Sequence, residues 1–73
     1  MIIAEIPKNA REIIRVEVEE YKGHRFISCR VWAKNNEGES VPTRKGMSIS
    51  LNHAEPVLMA LCAAHEQLKK LGV

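Results

Sequence analysis

The sequence predicts an α+β domain in which a small four-stranded antiparallel sheet is followed by one C-terminal helix. Three observations carry this. Residues 13–21 and 24–34 alternate apolar and polar side chains and are separated only by Lys22-Gly23, the pattern of two half-buried strands joined by a hairpin. A polar, glycine-bearing loop, Asn35-Asn36-Glu37-Gly38-Glu39-Ser40, leads into two further extended pieces, 41–43 and 47–51. From Asn52 to Leu71 the apolar residues recur at helical spacing instead.

Length bounds the rest. Seventy-three residues make one domain, and a chain this short buries only about 60–65% of the surface its unfolded form exposes. Staples, a metal or a partner subunit usually make up the difference. Of the two cysteines, Cys29 falls on the inward side of a strand and Cys62 in an apolar helix. Both read as small hydrophobes with reduced thiols rather than as a disulfide framework. The N-terminus lacks a basic segment followed by a long apolar run, and the longest apolar run, 57–64, is far short of the roughly 20 residues a membrane span needs. The expectation is a cytoplasmic, nucleoid-associated protein with no membrane partner and no cofactor.

In chain order, residues 1–12 carry Pro7, Asn9 and scattered charges and are expected to form a partly ordered arm, with the domain proper spanning 13–73. In the first strand Ile14, Val16 and Val18 point one way and Arg15, Glu17, Glu19 and Tyr21 the other. Gly23 supplies the positive φ that a tight hairpin demands. The next strand, 24–34, puts Ile27, Cys29, Val31 and Ala33 on a small apolar face, and Phe26, Ser28, Arg30, Trp32 and Lys34 on the other. Pro42 confines the third strand to an edge or to its own start. Arg44-Lys45-Gly46 is expected to bend or bulge, after which Ile49 and Leu51 point inward. Asn52 is the expected helix N-cap, with Glu55 three positions on; Pro56 is expected in the first turn, and Gly72 just beyond the end. Leu58, Leu61, Cys62, His65 and Leu68 form one stripe, yet Val57, Met59, Ala60, Ala63 and Ala64 make the first half apolar nearly all round. Such a helix is buried on more than one side, and one small sheet covers only one. A second copy of the chain, meeting this one through Val57, Leu58, Leu61, Cys62 and His65, is the economical cover.

Net charge is only +2, but residues 22–45 hold six Lys/Arg against two Glu, a local +4, while residues 1–21 stand at −2. The basic segment, which includes Arg25, coincides with the aromatic one, the footprint of an anion-binding surface; a solvated surface of mixed charge is the plain alternative. Trp32 fits three roles: stacking on a base, packing under the loop, or lying in a dimer interface. Arg30 and Lys34 flank it at roughly 6–7 Å along the strand, close to the separation of successive phosphates in a stretched single strand. Arg30 can instead pair with Glu17 or Glu19 across the sheet. His24, His53 and His65 form no metal-ligand pattern. No nucleophile–base set or phosphate-cradling glycine loop is present, so no enzyme is expected.

The order of parts resembles the C-terminal domain of the transcriptional coactivator positive cofactor 4 and its short bacterial relatives. The resemblance rests on Arg15-Val16 through Tyr21-Lys22-Gly23, Ile27-Ser28-Cys29-Arg30-Val31-Trp32, Asn36-Glu37-Gly38-Glu39, Pro42-Thr43-Arg44-Lys45-Gly46 and Ile49-Ser50-Leu51-Asn52, and covers about residues 14–60. It implies a curved sheet, a homodimer, and binding of single-stranded or unwound DNA along the basic, aromatic sheet face. Lys22, Arg30, Arg44 and Lys45 fall on family positions that touch nucleic acid, and Tyr21 on one that stacks on a base. Three departures stand out. Trp32-Ala33 replaces two adjacent aromatics of which the second usually stacks, so either Trp32 takes that role or binding is weaker. Val41 stands where a basic residue is common, and Met47 is inserted before Ile49. Single-stranded RNA, or proteins of the transcription machinery, are the alternative partners.

Overall fold

The computed structural model describes residues 1–72; Val73, the end of the predicted domain, lies outside the described residues. Four strands pair in chain order, β1 (Ile2–Pro7), β2 (Glu12–Tyr21), β3 (His24–Lys34) and β4 (Ser40–Ser50), all antiparallel, and α1 (Leu51–Lys70) follows at once. The α+β architecture of four strands and a C-terminal helix is as predicted, but two of its parts are differently made. The fourth strand comes from residues 2–7, expected as a loose arm. The two pieces expected at 41–43 and 47–51 are one strand.

β1 is held to β2 by a turn that Asn9 organises. The Asn9 side-chain oxygen accepts hydrogen bonds from the backbone N–H groups of Arg11 (3.0 Å) and Glu12 (2.9 Å), and its amide donates to the Glu12 carboxylate (2.7 Å). This is the local side-chain mimicry of a turn at which asparagine is effective. The β1–β2 register slips between Ile2 and Ala4, which pair with Glu17 and Val16, so Ile3 is bulged out. Lys22 (φ 50°) and Gly23 (φ 80°) form the β2–β3 hairpin turn with both central residues left-handed, the turn whose twist matches its strands. β4 is an edge strand, where Pro42 costs no ladder hydrogen bond.

Between the pairs Arg30↔Gly46 and Trp32↔Pro42, β3 contributes Val31 alone while β4 contributes Thr43, Arg44 and Lys45. This is the expected bulge. It lies wholly before Gly46, so Met47 is in register opposite Cys29 and Ile49 opposite Ile27. Leu51 does not point inward; it opens the helix and is 73% exposed. The helix N-cap is Ser50 rather than Asn52, with its side-chain oxygen 2.8 Å from His53 Nδ1 and no side-chain cap bond. β4 runs straight into the helix, so the helix starts earlier than its capping residues suggest and Pro56 falls beyond the first turn. Gly72 (φ 73°) follows the C-cap Leu71, a left-handed exit that suits glycine.

The helix lies on one face of the sheet, where Val16, Ile27, Cys29 and Ile49 meet Ala54, Val57, Leu58 and Leu61 around a narrow apolar cleft. Further along that face Ile14, Val31 and Met47 are left uncovered by it, lining a shallow depression with Cys29. Ile49 is the one buried hydrophobic among the described residues. The surface is 6091 Å², against about 4,500 Å² for a folded monomer of 8.2 kDa. The radius of gyration is 14.3 Å, against about 11 Å for a compact chain of this length. The molecule is a slab 18 Å thick with an excess of open apolar surface.

Candidate nucleic-acid interface

The face away from the helix is set by β3. Its even-numbered residues Ser28, Arg30, Trp32 and Lys34 stand opposite Glu17, Arg15, Ile13 and the β2 start on one side, and Ser48, Gly46, Pro42 and Ser40 on the other. Arg30 is half-buried and donates from Nη1 to the Thr43 carbonyl (3.0 Å); neither Glu17 nor Glu19 is its partner in the structure. Thr43 Oγ1 donates to the Val31 carbonyl (2.8 Å) and accepts from the Lys45 N–H (3.2 Å). These bonds fix the bulge as a small folded knuckle. Two residues of β4 are thereby left without partners on β3, and the knuckle carries the exposed Arg44 and Lys45, of which Lys45 reaches the helix side and lines the apolar depression with Ile14 and Met47.

Gly46 makes the knuckle possible. A Cβ there would lie 2.5 Å from the Cys29 carbonyl oxygen and 2.7 Å from Arg30 Cα, at φ 155°. Only glycine lets the two backbones approach so closely.

Trp32 is half-buried, and the guanidinium of Arg15 lies 3.8 Å from its ring centroid, a cation–π contact. Arg15 is itself bound by Glu5 from β1, with Nε at 2.8 Å and Nη2 at 2.7 Å from Oε2, and Glu17 lies 4.0 Å away. Trp32 Nε1 is buried without a hydrogen-bond partner, an energetic cost for a donor removed from water. Tyr21, 64% exposed, sits at the hairpin tip with Lys22 Nζ 5.3 Å from its ring.

The structure therefore brings Arg30, Trp32 and Lys34 together on one side of the sheet, with Arg44 on the bulge beside them, and sets Tyr21 and Lys22 at the hairpin end of the same strand pair. Lys45 instead lines the apolar depression of the helix side with Lys8, Ile14 and Met47, near Glu12. Arg25 is not with them. It alternates with Ile27 on the helix side and pairs there with Glu20 (3.3 Å). Sequence reasoning missed Arg15 and Glu5; alternation put Arg15 on the polar face, but nothing local announced its contact with Trp32. Of the predicted dimer residues, Val57 is half-buried while Leu58, Leu61, Cys62 and His65 are exposed in the single chain, and both cysteines are free. No group of three or more metal-ligating side chains occurs among the described residues, and no described helix is long and apolar enough to cross a membrane.

A sheet that is apolar and helix-covered on one side, with cations set around aromatics on the other, defines a small module of the nucleic-acid-binding class. Comparison specifies it: the chain belongs to the transcriptional coactivator p15 (PC4) family, whose family model matches residues 8–60. Among solved structures it is similar to a PC4 homologue from Burkholderia pseudomallei, at 32% identity in two crystal forms. In the tetragonal form the TM-score is 0.81, with 89% of this chain and 96% of the homologue covered. In the orthorhombic form it is 0.78, with 89% and 88% covered. The bacteriophage T5 homologue of the eukaryotic coactivator PC4 shares the fold, with a TM-score of 0.71 at 23% identity over all of this chain and 81% of that one. Among curated proteins no match was found.

Proposed function

We propose that this chain binds single-stranded or locally unwound DNA, with little sequence preference and as a homodimer. The observation that carries the reading is the sheet face the helix leaves bare, where Arg30, Trp32 and Lys34 alternate along β3 and the folded knuckle of β4 adds the exposed cations Arg44 and Lys45 at its edge. Lys34 and the Tyr21–Lys22 tip lie at the two ends of β3, about 30 Å apart along the strand, room for several phosphates. Cations meet those phosphates and aromatic rings meet the bases, neither of which depends on base identity. Arg25, on the opposite face, is left out of the site. The excess of open surface, about 1,500 Å² over a compact monomer, supports a second copy as the cover for Leu58, Leu61 and the apolar depression beside them. The phage T5 homologue is described as implicated in recombination-dependent DNA replication, and replication or repair is accordingly the process proposed here alongside transcription.

The test is a titration of the fluorescence of Trp32, the lone tryptophan, with oligothymidine of about 20 nucleotides at low and moderate salt. With four or five phosphates neutralised per subunit, log K falls against log salt with a slope near −3 per subunit. Trp32→Ala combined with Lys45→Glu abolishes binding. A flat salt response ends the phosphate-contact reading. No binding by fluorescence or by a second method points instead to a protein-docking module, and equal or tighter binding of oligouridine makes RNA the ligand.

A further inference from the structure

Glu5, the acidic partner of Arg15, holds that guanidinium beside Trp32. Arg15 covers one face of the ring at 3.8 Å, and its Nε and Nη2 both bond one oxygen of Glu5. With Glu17 4.0 Å from Nη1, two carboxylates surround one guanidinium. The guanidinium is thus held between carboxylates, and the ring it covers is closed to a base on that side. We infer that Glu5 and Arg15 form a latch, and that the phosphate backbone of a bound strand displaces the Glu5 carboxylate, recruits Arg15 as an additional phosphate-binding residue and uncovers Trp32 for stacking. The inference rests on the nucleic-acid reading given above.

Three features make the exchange easy. Glu5 stands on the edge strand β1 with its side chain 45% exposed, so solvent screens its end of the pair. Both arginine nitrogens share a single carboxylate oxygen, whereas a phosphate presents separate oxygens to the guanidinium fork. Arg30 stands directly across the ladder from Arg15; like charges so placed repel, and an anion between them relieves the repulsion as Glu5, lying on the far side of β2, does not. Glu5 therefore acts as an internal competitor, setting the affinity threshold a strand must exceed.

The experiment compares oligothymidine binding by the wild-type chain with that by Glu5→Gln and by Glu20→Gln, at 50 and 200 mM salt. Glu20 is an exposed acid paired with Arg25 on the other side, so its variant carries the same change in net charge without touching the latch. Glu5→Gln is expected to bind about fivefold tighter at 50 mM salt and about twofold at 200 mM, with a salt slope steeper by about 0.7, the increment of one added phosphate contact on single strands. Glu20→Gln is expected to change the slope little, and Arg15→Gln to cancel the gain when combined with Glu5→Gln. Equal shifts in Glu5→Gln and Glu20→Gln overturn the latch while leaving the binding reading intact. A wild-type chain that binds no oligothymidine overturns the binding reading itself. Thermal melting of each variant confirms that the fold is retained, and Glu5, half in solvent at an edge, is a tolerant site.

Discussion

Gly46 and Trp32 show what single residues contribute to the interface. Adding one methyl group at Gly46 forces backbone against backbone, with no flexible side chain to yield. Gly46→Ala is expected to lower stability by about 2–3 kcal/mol, read as a shift in urea midpoint at fixed protein concentration; an unshifted midpoint would mean the knuckle rearranges freely. The glycine itself was legible beside two cations. Trp32 was legible only in part. Alternation puts it on the polar face with Arg15, but the contact between them is diagonal across two strands, since Ile13 is Trp32's partner and Arg30 is Arg15's. Diagonal neighbours lie about 7–8 Å apart, within reach only of a long side chain, and a third strand supplies the carboxylate that orients it. A sequence pattern read one strand at a time cannot contain a three-strand contact.

At the level of elements, the two strands that were differently made have one cause. Bulges break the period of two on which strands are recognised. In β1, Ile3 is looped out, so Ile2 and Ala4 fall opposite neighbouring residues and the segment shows no clean alternation. In β4, two extra residues split one strand into apparent halves. The β2–β3 hairpin, where the period is intact, is as expected, and the helix departs from expectation only at its start. The turn joining β1 to β2 has a testable electrostatic signature. The Asn9 amide bonds the Glu12 carboxylate and is the main cause that holds its pKa below the ordinary value; slight burial opposes this, and Lys8 and Lys45 add to the lowering. A carboxyl whose pKa is lowered by folding stabilises the fold above its unfolded pKa, and that contribution is lost as pH falls through the lowered folded one. Carbon-13 detected NMR titration is expected to show Glu12 titrating below its ordinary value in the wild type and moving back up in Asn9→Ala. Identical midpoints would remove Asn9 as the cause.

The whole molecule leaves much of its apolar surface open, which the proposed second copy would cover. With Ile49 the one buried hydrophobic among the described residues, Leu58 61%, Met59 65% and Leu61 58% exposed, and a depression of Ile14, Val31 and Met47 beside them, assembly and folding are expected to be one event. Sedimentation equilibrium should give twice the 8.2 kDa chain mass, the melting temperature should rise with protein concentration, and Leu61→Glu should leave an unfolded or poorly folded monomer. A folded, concentration-independent monomer would refute the dimer. The all-round apolar helix carries the same expectation at the level of sequence, because apolar residues on every side need more cover than one sheet face can offer. How much surface remained open was not legible, since it depends on how far the helix overhangs the sheet.

No residue separates β4 from the helix: Ser50 ends the one and caps the other. Backbone torsions at that junction, with Ser50 at φ −68° and ψ 159°, set the attitude of the helix to the sheet, and there is no tether to absorb a mismatch. In the homodimer proposed above, two copies joined through their helices would hold their outer faces at a fixed separation. Such a pair would work as a ruler, selecting nucleic acid by the length of slack between two gripped segments, a quantity that neither face could measure alone.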